Sequence, residues 1–180
     1  MSNLPFKRSY WVIPGKIIAG CYPGGQTPVS ASIKTRGLIN AGVTNILSLM
    51  ETSERNHDGQ PFDDYLPFAE EYAVALGRTV KWSRHPIVDG SVTTVEKMVK
   101  TLDTIDEAIL RGGTIYIHCW GGRGRTGTVV ACWLIRHRQT SPAQAVAALH
   151  ALTSHNAADF RPTPENSEQI AFVEQWQPGQ

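Results

Sequence analysis

The sequence predicts an α/β fold, a single domain with a central, mostly parallel sheet flanked by helices. Short apolar, β-branched stretches alternate with helical stretches along the chain, and no internal repeat, linker or low-complexity run interrupts them. The length of 180 residues suits one compact domain with its own core, so we expect residues 1–180 to form a single unit.

Turn residues mark the first elements. Two apolar stretches within residues 9–22 flank Pro14-Gly15, which predicts two short strands joined by a turn. Thr27-Pro28 predicts the start of a helix, with proline at its first position, and Ala41-Gly42 predicts its end.

The next elements alternate between strand and helix. The apolar run "VTNILSLM", residues 43–50, predicts a buried strand, and residues 62–77 are expected to form a helix. "TVKWSRHPI", residues 79–87, and "TIYIH", residues 114–118, predict two further strands.

The strongest helical pattern lies between those last two strands. Thr93 and Glu96 have the spacing of a capping box at its start, and Gly112 predicts its end. Six apolar residues at helical spacing share the face that we expect to enter the core: Val95, Met98, Val99, Leu102, Ile105 and Ile109.

Three more helices complete the chain. The first is predicted from Thr126 to Arg138, directly after the strand 114–118. The second begins with Ser141 as its cap, and the third, in "TPENSEQIAFVEQW", begins in the same way.

Composition narrows the classes of function. The formal net charge of +1 does not favour nucleic acid as a partner, and no apolar run approaches the length of a membrane span. The three cysteines, Cys21, Cys119 and Cys132, are too few for a disulfide scaffold and lack metal-ligand spacing, so we expect no metal. Reduced thiols and an N-terminus without the pattern of a signal peptide favour a cytoplasmic location.

The segment "HCWGGRGRTG", residues 118–127, joins the last predicted strand to the following helix. In open α/β sheets, ligands bind where strands end and helices begin. Gly121, Gly122 and Gly124 allow the backbone to wrap tightly and to aim its N–H groups inward. A ring of amides at a helix N-terminus predicts an anion site, and it favours a thiolate at Cys119 over a thiol.

Cys119 and Arg125 complete the chemistry of this loop. The planar guanidinium of Arg125 can hold two oxygens of a phosphate at once. The Cys119 thiolate would then lie beneath the bound phosphorus, placed for in-line attack, which indicates catalysis through a phosphocysteine. A nucleotide-binding loop is disfavoured because the segment has neither the Walker A residues nor dinucleotide spacing. A tight turn with an incidental buried cysteine is the remaining alternative.

The loop resembles the His-Cys-x5-Arg-Ser/Thr loop of the cysteine-dependent protein tyrosine phosphatase superfamily. The compact chain is similar to the dual-specificity branch of that superfamily, including its atypical bacterial members. The resemblance implies a single phosphatase domain over residues 1–180, with its catalytic loop at 118–127. It implies a hydrolase that needs no cofactor and that binds phosphate, sulfate or vanadate in this loop.

The resemblance also implies roles for single residues. Cys119 would be the nucleophile and Arg125 the phosphate clamp, while Thr126 would hydrogen-bond the cysteine sulfur and help it to leave in the second step. His118 would orient the loop rather than transfer protons. The residues implied to bind the substrate phosphate are Trp120, Gly121, Gly122, Arg123, Gly124 and Arg125.

Asp89 is the candidate general acid, because the family carries an aspartate on a loop about thirty residues before the cysteine. Asp89 follows a predicted strand and precedes a helix, with Gly90 beside it. A simple Asp-Gly turn is the alternative interpretation. Five other aspartates are expected to be exposed, in the polar insertion "ETSERNHDGQPFDDY", residues 51–65, or on a helix: Asp58, Asp63, Asp64, Asp103 and Asp106.

The segment "FRPTPENSEQ" resembles the one that brings a glutamine near the hydrolytic water in the larger tyrosine phosphatases. Gln169 matches one glutamine of that pattern, and Glu165 stands in place of the other. Arg161 is interpreted as a packing or pairing residue.

The substrate class stays open at this stage. No segment resembles the phosphotyrosine-recognition loop of the large enzymes, so we expect a pocket shallow enough for phosphoserine and phosphothreonine as well. Arg123 could reach a second acidic group, as in the lipid phosphatases of the family, which makes a phosphoinositide or inositol phosphate the alternative to a phosphorylated protein or small phosphate monoester. A phosphate-binding pseudophosphatase, or a rhodanese-like sulfurtransferase or arsenate reductase, are alternatives from other classes.

Overall fold

The computed structural model describes residues 4–25, 27–154 and 162–180. Within these ranges, six α-helices flank a five-stranded sheet. The strands are β1 (Ser9–Ile13), β2 (Ile17–Gly20), β3 (Val43–Ser48), β4 (Lys81–Arg84) and β5 (Thr114–His118). The helices are α1 (Pro28–Asn40), α2 (Leu66–Ala75), α3 (Val95–Leu110), α4 (Gly124–Arg136), α5 (Ala145–Thr153) and α6 (Ser167–Gln175).

The strand order in the sheet is β1-β2-β5-β3-β4. Only β1 runs antiparallel to its neighbour, so the prediction of a mostly parallel sheet is confirmed. His118, at the end of β5, is in register with Gly20 of β2 and with Ser48 of β3. The carboxyl ends of the four parallel strands therefore lie along one edge, where the loops that follow them meet.

Helix α4 passes through the core directly behind β5. All twelve residues from Gly124 to Ile135 are buried, and α4 packs against α3, α5 and α6. All five residues of β5 are buried as well, as expected for a central parallel strand covered on both faces. The loop 119–123 is therefore held between two rigid, buried elements.

Helix α3 starts differently from the sequence prediction. Its cap is Thr94, whose Oγ1 accepts from the Lys97 amide at 3.3 Å, so the predicted capping box of Thr93 and Glu96 is wrong. Val95 is 42% exposed although it shares the helix face of Met98, because it lies one turn before the buried section begins.

The last two helices also begin later than predicted. A short 3₁₀ turn, Pro142–Gln144, precedes α5, and the Ser141 hydroxyl contacts the Gln144 side chain instead of capping the backbone. Helix α6 begins at Ser167 because Asn166 caps it, with Oδ1 accepting from the Gln169 amide at 3.0 Å. Strand β4 is shorter than predicted, and it ends two residues before Pro86, which has no N–H to donate.

Candidate active site

The glycine-rich loop wraps around the Cys119 sulfur at the carboxyl edge of the sheet. Cys119 is 2% exposed, and its Sγ accepts a hydrogen bond from the Gly122 amide at 3.3 Å. Gly122 has a φ of +77°, and a Cβ built there would lie 2.4 Å from the Cys21 amide nitrogen. Only glycine combines this conformation with such a close backbone approach, so the loop's path depends on residue 122.

His118 anchors the start of the loop. Its Nε2 lies 2.6 Å from Tyr65 Oη, and its Nδ1 lies 3.2 Å from the Cys119 carbonyl oxygen. Because a carbonyl only accepts, Nδ1 carries the proton, and Nε2 accepts from the Tyr65 hydroxyl. Burial lowers the pKa of His118 to about 3, so the ring is neutral at physiological pH. A neutral ring held at both nitrogens suits the orienting role that was expected of it.

Arg125 lies in the first turn of α4 and is held by a carboxylate that the sequence did not indicate. Nη1 lies 2.6 Å from Glu54 Oε2, and Nη2 donates to Glu54 Oε1 at 2.8 Å. Nη1 also donates to the Ile87 carbonyl oxygen at 3.1 Å. Burial alone would lower the pKa of Arg125, but the hydrogen bonds with Glu54 and the nearby negative charges raise it above its usual value. The guanidinium therefore stays charged.

Asp89 approaches the same guanidinium from the loop that follows β4. Its Oδ1 lies 2.7 Å from Arg125 Nη2, while its side chain remains 56% exposed. Arg125 Nε is buried and has no hydrogen-bond partner in the part of the chain that the structure describes. A tetrahedral oxyanion on the loop can take Nε and Nη2 as an adjacent pair of donors, displacing Asp89 from Nη2. The geometry thus brings a thiol, an anion clamp and an accessible carboxyl group to one point.

A match to a known family agrees with this geometry. The family profile described as "PTP-SAK: Swiss Army Knife protein, DSP-PTPase phosphatase domain" matches residues 7–173. The chain belongs to the DSP-PTPase phosphatase domain family. The resemblance to the compact dual-specificity branch is confirmed by this match.

Two phosphatases are similar to parts of the chain. Human dual specificity protein phosphatase CDC14C is 27% identical over 146 residues, which are 76% of this chain and 28% of that protein. Phosphatidylglycerophosphate phosphatase PTPMT2 of Arabidopsis thaliana is 31% identical over 86 residues, 48% of this chain and 36% of that protein. This chain thus covers little more than a quarter of the length of CDC14C.

A solved structure shares the fold over almost the whole chain. The crystal structure of Tk-PTP in the active form superposes with a TM-score of 0.69 at 22% identity, covering 94% of this chain and 96% of that one. The predicted fold class, a phosphatase-like α/β domain, is therefore confirmed.

Trp120 follows Cys119 in the loop of this DSP-PTPase domain and packs against rings from the segment after β3. Its ring is half-buried and contacts His57 and Phe62, with centroids 4.3 and 5.2 Å apart. The polar insertion after β3 therefore packs against the catalytic loop through aromatic rings.

Arg123 lies on the opposite side of the loop and is tied to the C-terminal segment. Its Nε lies 3.6 Å from Glu165 Oε1, and its carbonyl oxygen accepts from Thr163 Oγ1 at 2.9 Å. The side chain of Arg123 is 13% exposed. It is therefore more than a solvated charge on the surface of the DSP-PTPase domain.

Thr126 does not make the expected hydrogen bond to the Cys119 sulfur. Its Oγ1 is buried without a hydrogen-bond partner among the residues described here, and the sulfur is contacted by the Gly122 amide instead. The assistance of Thr126 in the second step stays a prediction.

Gln169 does not lie free beside the loop, as the water-positioning role would require. It is fully buried, with Oε1 accepting from the Glu165 amide at 2.9 Å and Nε2 donating to the Ser91 carbonyl at 3.3 Å. Both ends of the amide are thus engaged in joining the C-terminal segment to the loop that carries Asp89. Arg161, interpreted above as a packing or pairing residue, lies outside the described residues.

Asp58, Asp63 and Asp64 are exposed, as expected, whereas Asp103 and Asp106 pair with Arg136. Asp103 and Asp106 lie 2.5 and 3.5 Å from the two Nη atoms of Arg136, and Asp106 also accepts from Trp133. Asp106 is therefore mostly buried, which corrects the expectation that it is exposed.

No group of three or more possible ligands for a metal ion occurs within the described ranges. No helix in those ranges is long and apolar enough to cross a membrane.

Glu54 is the site residue that the sequence reasoning missed. It lies in the polar insertion, where charged residues are usually solvated. Two facts could have indicated it: the insertion follows β3, whose end meets the catalytic loop, and a buried arginine requires a carboxylate partner. Neither fact distinguishes Glu54 from Glu51, which precedes it by three residues.

Proposed function

We propose that this protein hydrolyses phosphate monoesters through a phosphocysteine intermediate, with phosphotyrosyl proteins as its main substrates and phosphoseryl and phosphothreonyl proteins as further ones. The observation that carries the proposal is the ion pair between Arg125 Nη2 and Asp89 Oδ1, 2.7 Å apart, beside the loop that surrounds Cys119. An anion clamp, a proton donor and a nucleophile are the three groups that phosphoryl transfer by this route requires.

In the first step the Cys119 sulfur attacks phosphorus, the S–P bond forms and the P–O bond to the leaving group breaks. The Asp89 carboxyl group gives its proton to the departing oxygen. Arg125 holds two of the remaining phosphoryl oxygens, and the loop amides bind the rest of the negative charge. The backbone N–H groups of residues 120–124 are the loop amides that we propose to bind the phosphoryl group.

In the second step a water molecule attacks the phosphorus of the phosphocysteine. Its proton passes to the Asp89 carboxylate, the S–P bond breaks and Cys119 leaves as a thiolate. The Gly122 amide, 3.3 Å from Sγ, stabilises that thiolate and so favours its departure. Thr126 is proposed to assist when its hydroxyl turns toward the sulfur.

The preference for protein substrates rests on the mouth of the site. Trp120 and Phe62 present aromatic rings beside the loop, and Asp89 is 56% exposed at its rim. Aromatic walls suit the ring of phosphotyrosine, while the exposed acid leaves room for the shorter side chains of phosphoserine and phosphothreonine. CDC14C, a dual specificity protein phosphatase by name, supports this choice.

A phospholipid or inositol phosphate is the second candidate substrate. It is favoured by Arg123, a second cation in the loop, and by the similarity to a phosphatidylglycerophosphate phosphatase. The ion pair with Glu165 already occupies Arg123, which weakens this candidate. A pseudophosphatase or a sulfurtransferase is disfavoured because nucleophile, clamp and acid all meet at the loop. The cytoplasmic location remains a prediction, supported by the need of a reduced thiolate.

A phosphate-release screen tests the proposal. Phosphotyrosine, phosphoserine and phosphothreonine peptides are compared with phosphatidylglycerophosphate, phosphoinositides and inositol phosphates, and sulfur transfer is measured with thiosulfate and cyanide. We expect the highest kcat/KM on phosphotyrosine peptides. Faster turnover of the lipids would establish the second candidate, and sulfur transfer without phosphate release would overturn both.

A further inference from the structure

We propose that Asn166 is a positioning residue for the general acid, holding the Asp89 loop over the catalytic cysteine by a hydrogen bond to the loop backbone. The inference rests on the proposed acid role of Asp89. It concerns a residue in the C-terminal segment that neither touches the substrate site nor belongs to the catalytic loop.

The first observation is the contact between the two segments. Asn166 Nδ2 donates to the Gly90 carbonyl oxygen at 2.6 Å, across 76 residues of sequence. One residue further along, the Ser91 carbonyl accepts from Gln169 Nε2 at 3.3 Å. Two successive carbonyls directly after Asp89 are therefore fixed by side chains from one short stretch at the start of α6.

The second observation is the rigidity of the anchor. The Asn166 side chain uses its other atom, Oδ1, to cap α6 through the Gln169 amide at 3.0 Å. Helix α6 packs against α4 and α5, and Gln169, Val173 and the following Trp176 are buried. The side-chain amide of Asn166 thus connects α6, which is packed in the core, to the loop that carries the exposed Asp89.

The third observation explains why the loop needs this anchor. The side chain of Asp89 is held by Arg125, through Nη2 at 2.7 Å. A substrate phosphate takes donors of that same guanidinium, so Asp89 loses this contact when it must act. Gly90, with a φ of +72°, gives the loop a sharp bend at this point. The backbone contacts at Gly90 and Ser91 then keep the carboxyl group near the leaving oxygen.

The cap and the anchor can be separated by mutation. Asn166→Ser and Asn166→Asp both retain a good helix cap but lack the N–H₂ donor that reaches Gly90. Asn40→Ser, the same change at an exposed residue at the end of α1, is the matched control. Each variant is assayed with para-nitrophenyl phosphate, whose leaving group needs little protonation, and with an alkyl phosphate, whose leaving group needs much.

We expect kcat for the alkyl phosphate to fall about tenfold in both Asn166 variants. A loss of this size corresponds to one hydrogen bond that no longer positions the loop of the general acid. In the Asn166 variants, turnover of para-nitrophenyl phosphate and the Tm should stay near the wild-type values. In Asn40→Ser, the Tm and the turnover of both substrates should stay near the wild-type values. In an Asp89→Asn background, Asn166→Ser should cause no further loss, because the two residues act through one proton transfer.

Three outcomes would overturn the inference. The first is wild-type turnover of the alkyl phosphate by Asn166→Ser and Asn166→Asp. The second is an equal loss on both substrates together with a lower Tm, which would make Asn166 purely structural. The third is full additivity with Asp89→Asn. If instead Asp89→Asn itself does not discriminate between the two leaving groups, the proposed acid role fails, and the inference fails with it.

Discussion

Glu54 and Arg125 form a two-point ion pair inside the site, with Oε2–Nη1 and Oε1–Nη2 distances of 2.6 and 2.8 Å. Their side chains are 8% and 1% exposed, so the pair is shielded from water. Because Glu54 holds the far end of the guanidinium, Nε remains for the substrate. The pair therefore fixes the direction in which the guanidinium, our proposed phosphate clamp, faces.

Removing the charge of Glu54 should damage both the fold and the clamp. Glu54→Gln leaves a buried guanidinium with less compensation, which should cost about 3 kcal/mol of unfolding free energy. For a domain of this size that corresponds to a fall in Tm of roughly 6–12 °C. We also expect a lower kcat/KM, measured on para-nitrophenyl phosphate. Glu70→Gln, at an exposed position of α2, is the control, and wild-type stability of Glu54→Gln would contradict the assigned role.

Cys119→Ser should abolish nearly all phosphatase activity while retaining phosphate binding, because the loop amides and Arg125 are unchanged. Activity is measured as phosphate release, and binding as the rise in Tm with inorganic phosphate. The wild type should be inactivated by peroxide and inhibited by vanadate. Burial raises the pKa of the Cys132 thiol, so Cys132→Ala should remain active and sensitive to peroxide. Normal turnover by Cys119→Ser would exclude a phosphocysteine.

Arg125→Lys keeps the positive charge but loses the two adjacent donors. We expect kcat to fall on the order of 10²–10³-fold, as when one preorganised donor to a developing oxyanion is removed. The Tm should fall less than in Glu54→Gln, since a charge still faces the carboxylate. Arg123→Lys is the matched control and should lose less. If Arg125→Lys were as active as the wild type, the clamp would lie elsewhere, with Arg123 the first residue to test.

Asp89→Asn should slow an alkyl or phosphoseryl substrate far more than para-nitrophenyl phosphate. General acid catalysis contributes about 10²–10⁴-fold when the leaving oxygen needs a proton and little when it does not. The comparison is made by rapid kinetics on the step that forms the phosphocysteine. Asp103→Asn, on helix α3 where the aspartate pairs with Arg136, is the control. Equal losses on the two substrates would make Asp89 a turn residue and direct the search to Asp58, Asp63 and Asp64.

The buried His118 should make the stability of the domain depend on pH. Its pKa is about 3 in the folded chain and near 6.5 when exposed, so between these values the unfolded state binds the extra proton. The contribution is complete above about pH 6.5 and is lost as pH falls toward 3, at up to about 1.4 kcal/mol per pH unit. Urea unfolding should show this slope in the wild type and a shallower one in His118→Gln. Equal slopes would mean that His118 is protonated in the folded state.

Local sequence patterns were enough for the strands and for the strand-turn-helix unit that carries the glycine-rich loop. The five strands and the start of α1 at Pro28 lie where the turn residues and apolar runs predict them. Helix boundaries are less accurate: the sequence predicts Thr93 as the cap of α3, whereas Thr94 provides it. The two threonines are adjacent and chemically alike, so only the direction of the backbone decides which of them caps the helix.

The sequence by itself determined the loop of Cys119 and Arg125 and the likeness to a phosphatase family. Those residues act within one strand-turn-helix unit, so their spacing along the chain is their spacing in space. The tertiary structure alone decided that Glu54 holds Arg125 and that Asn166 holds the Asp89 loop, across 71 and 76 residues. In sequence, a glutamate in a buried ion pair and an asparagine that anchors a loop have the same polar neighbours as solvated residues. What distinguishes Glu54 and Asn166 from solvated residues is their contact with elements that are distant in sequence. Only the folded chain brings those elements together and removes water from the contacts.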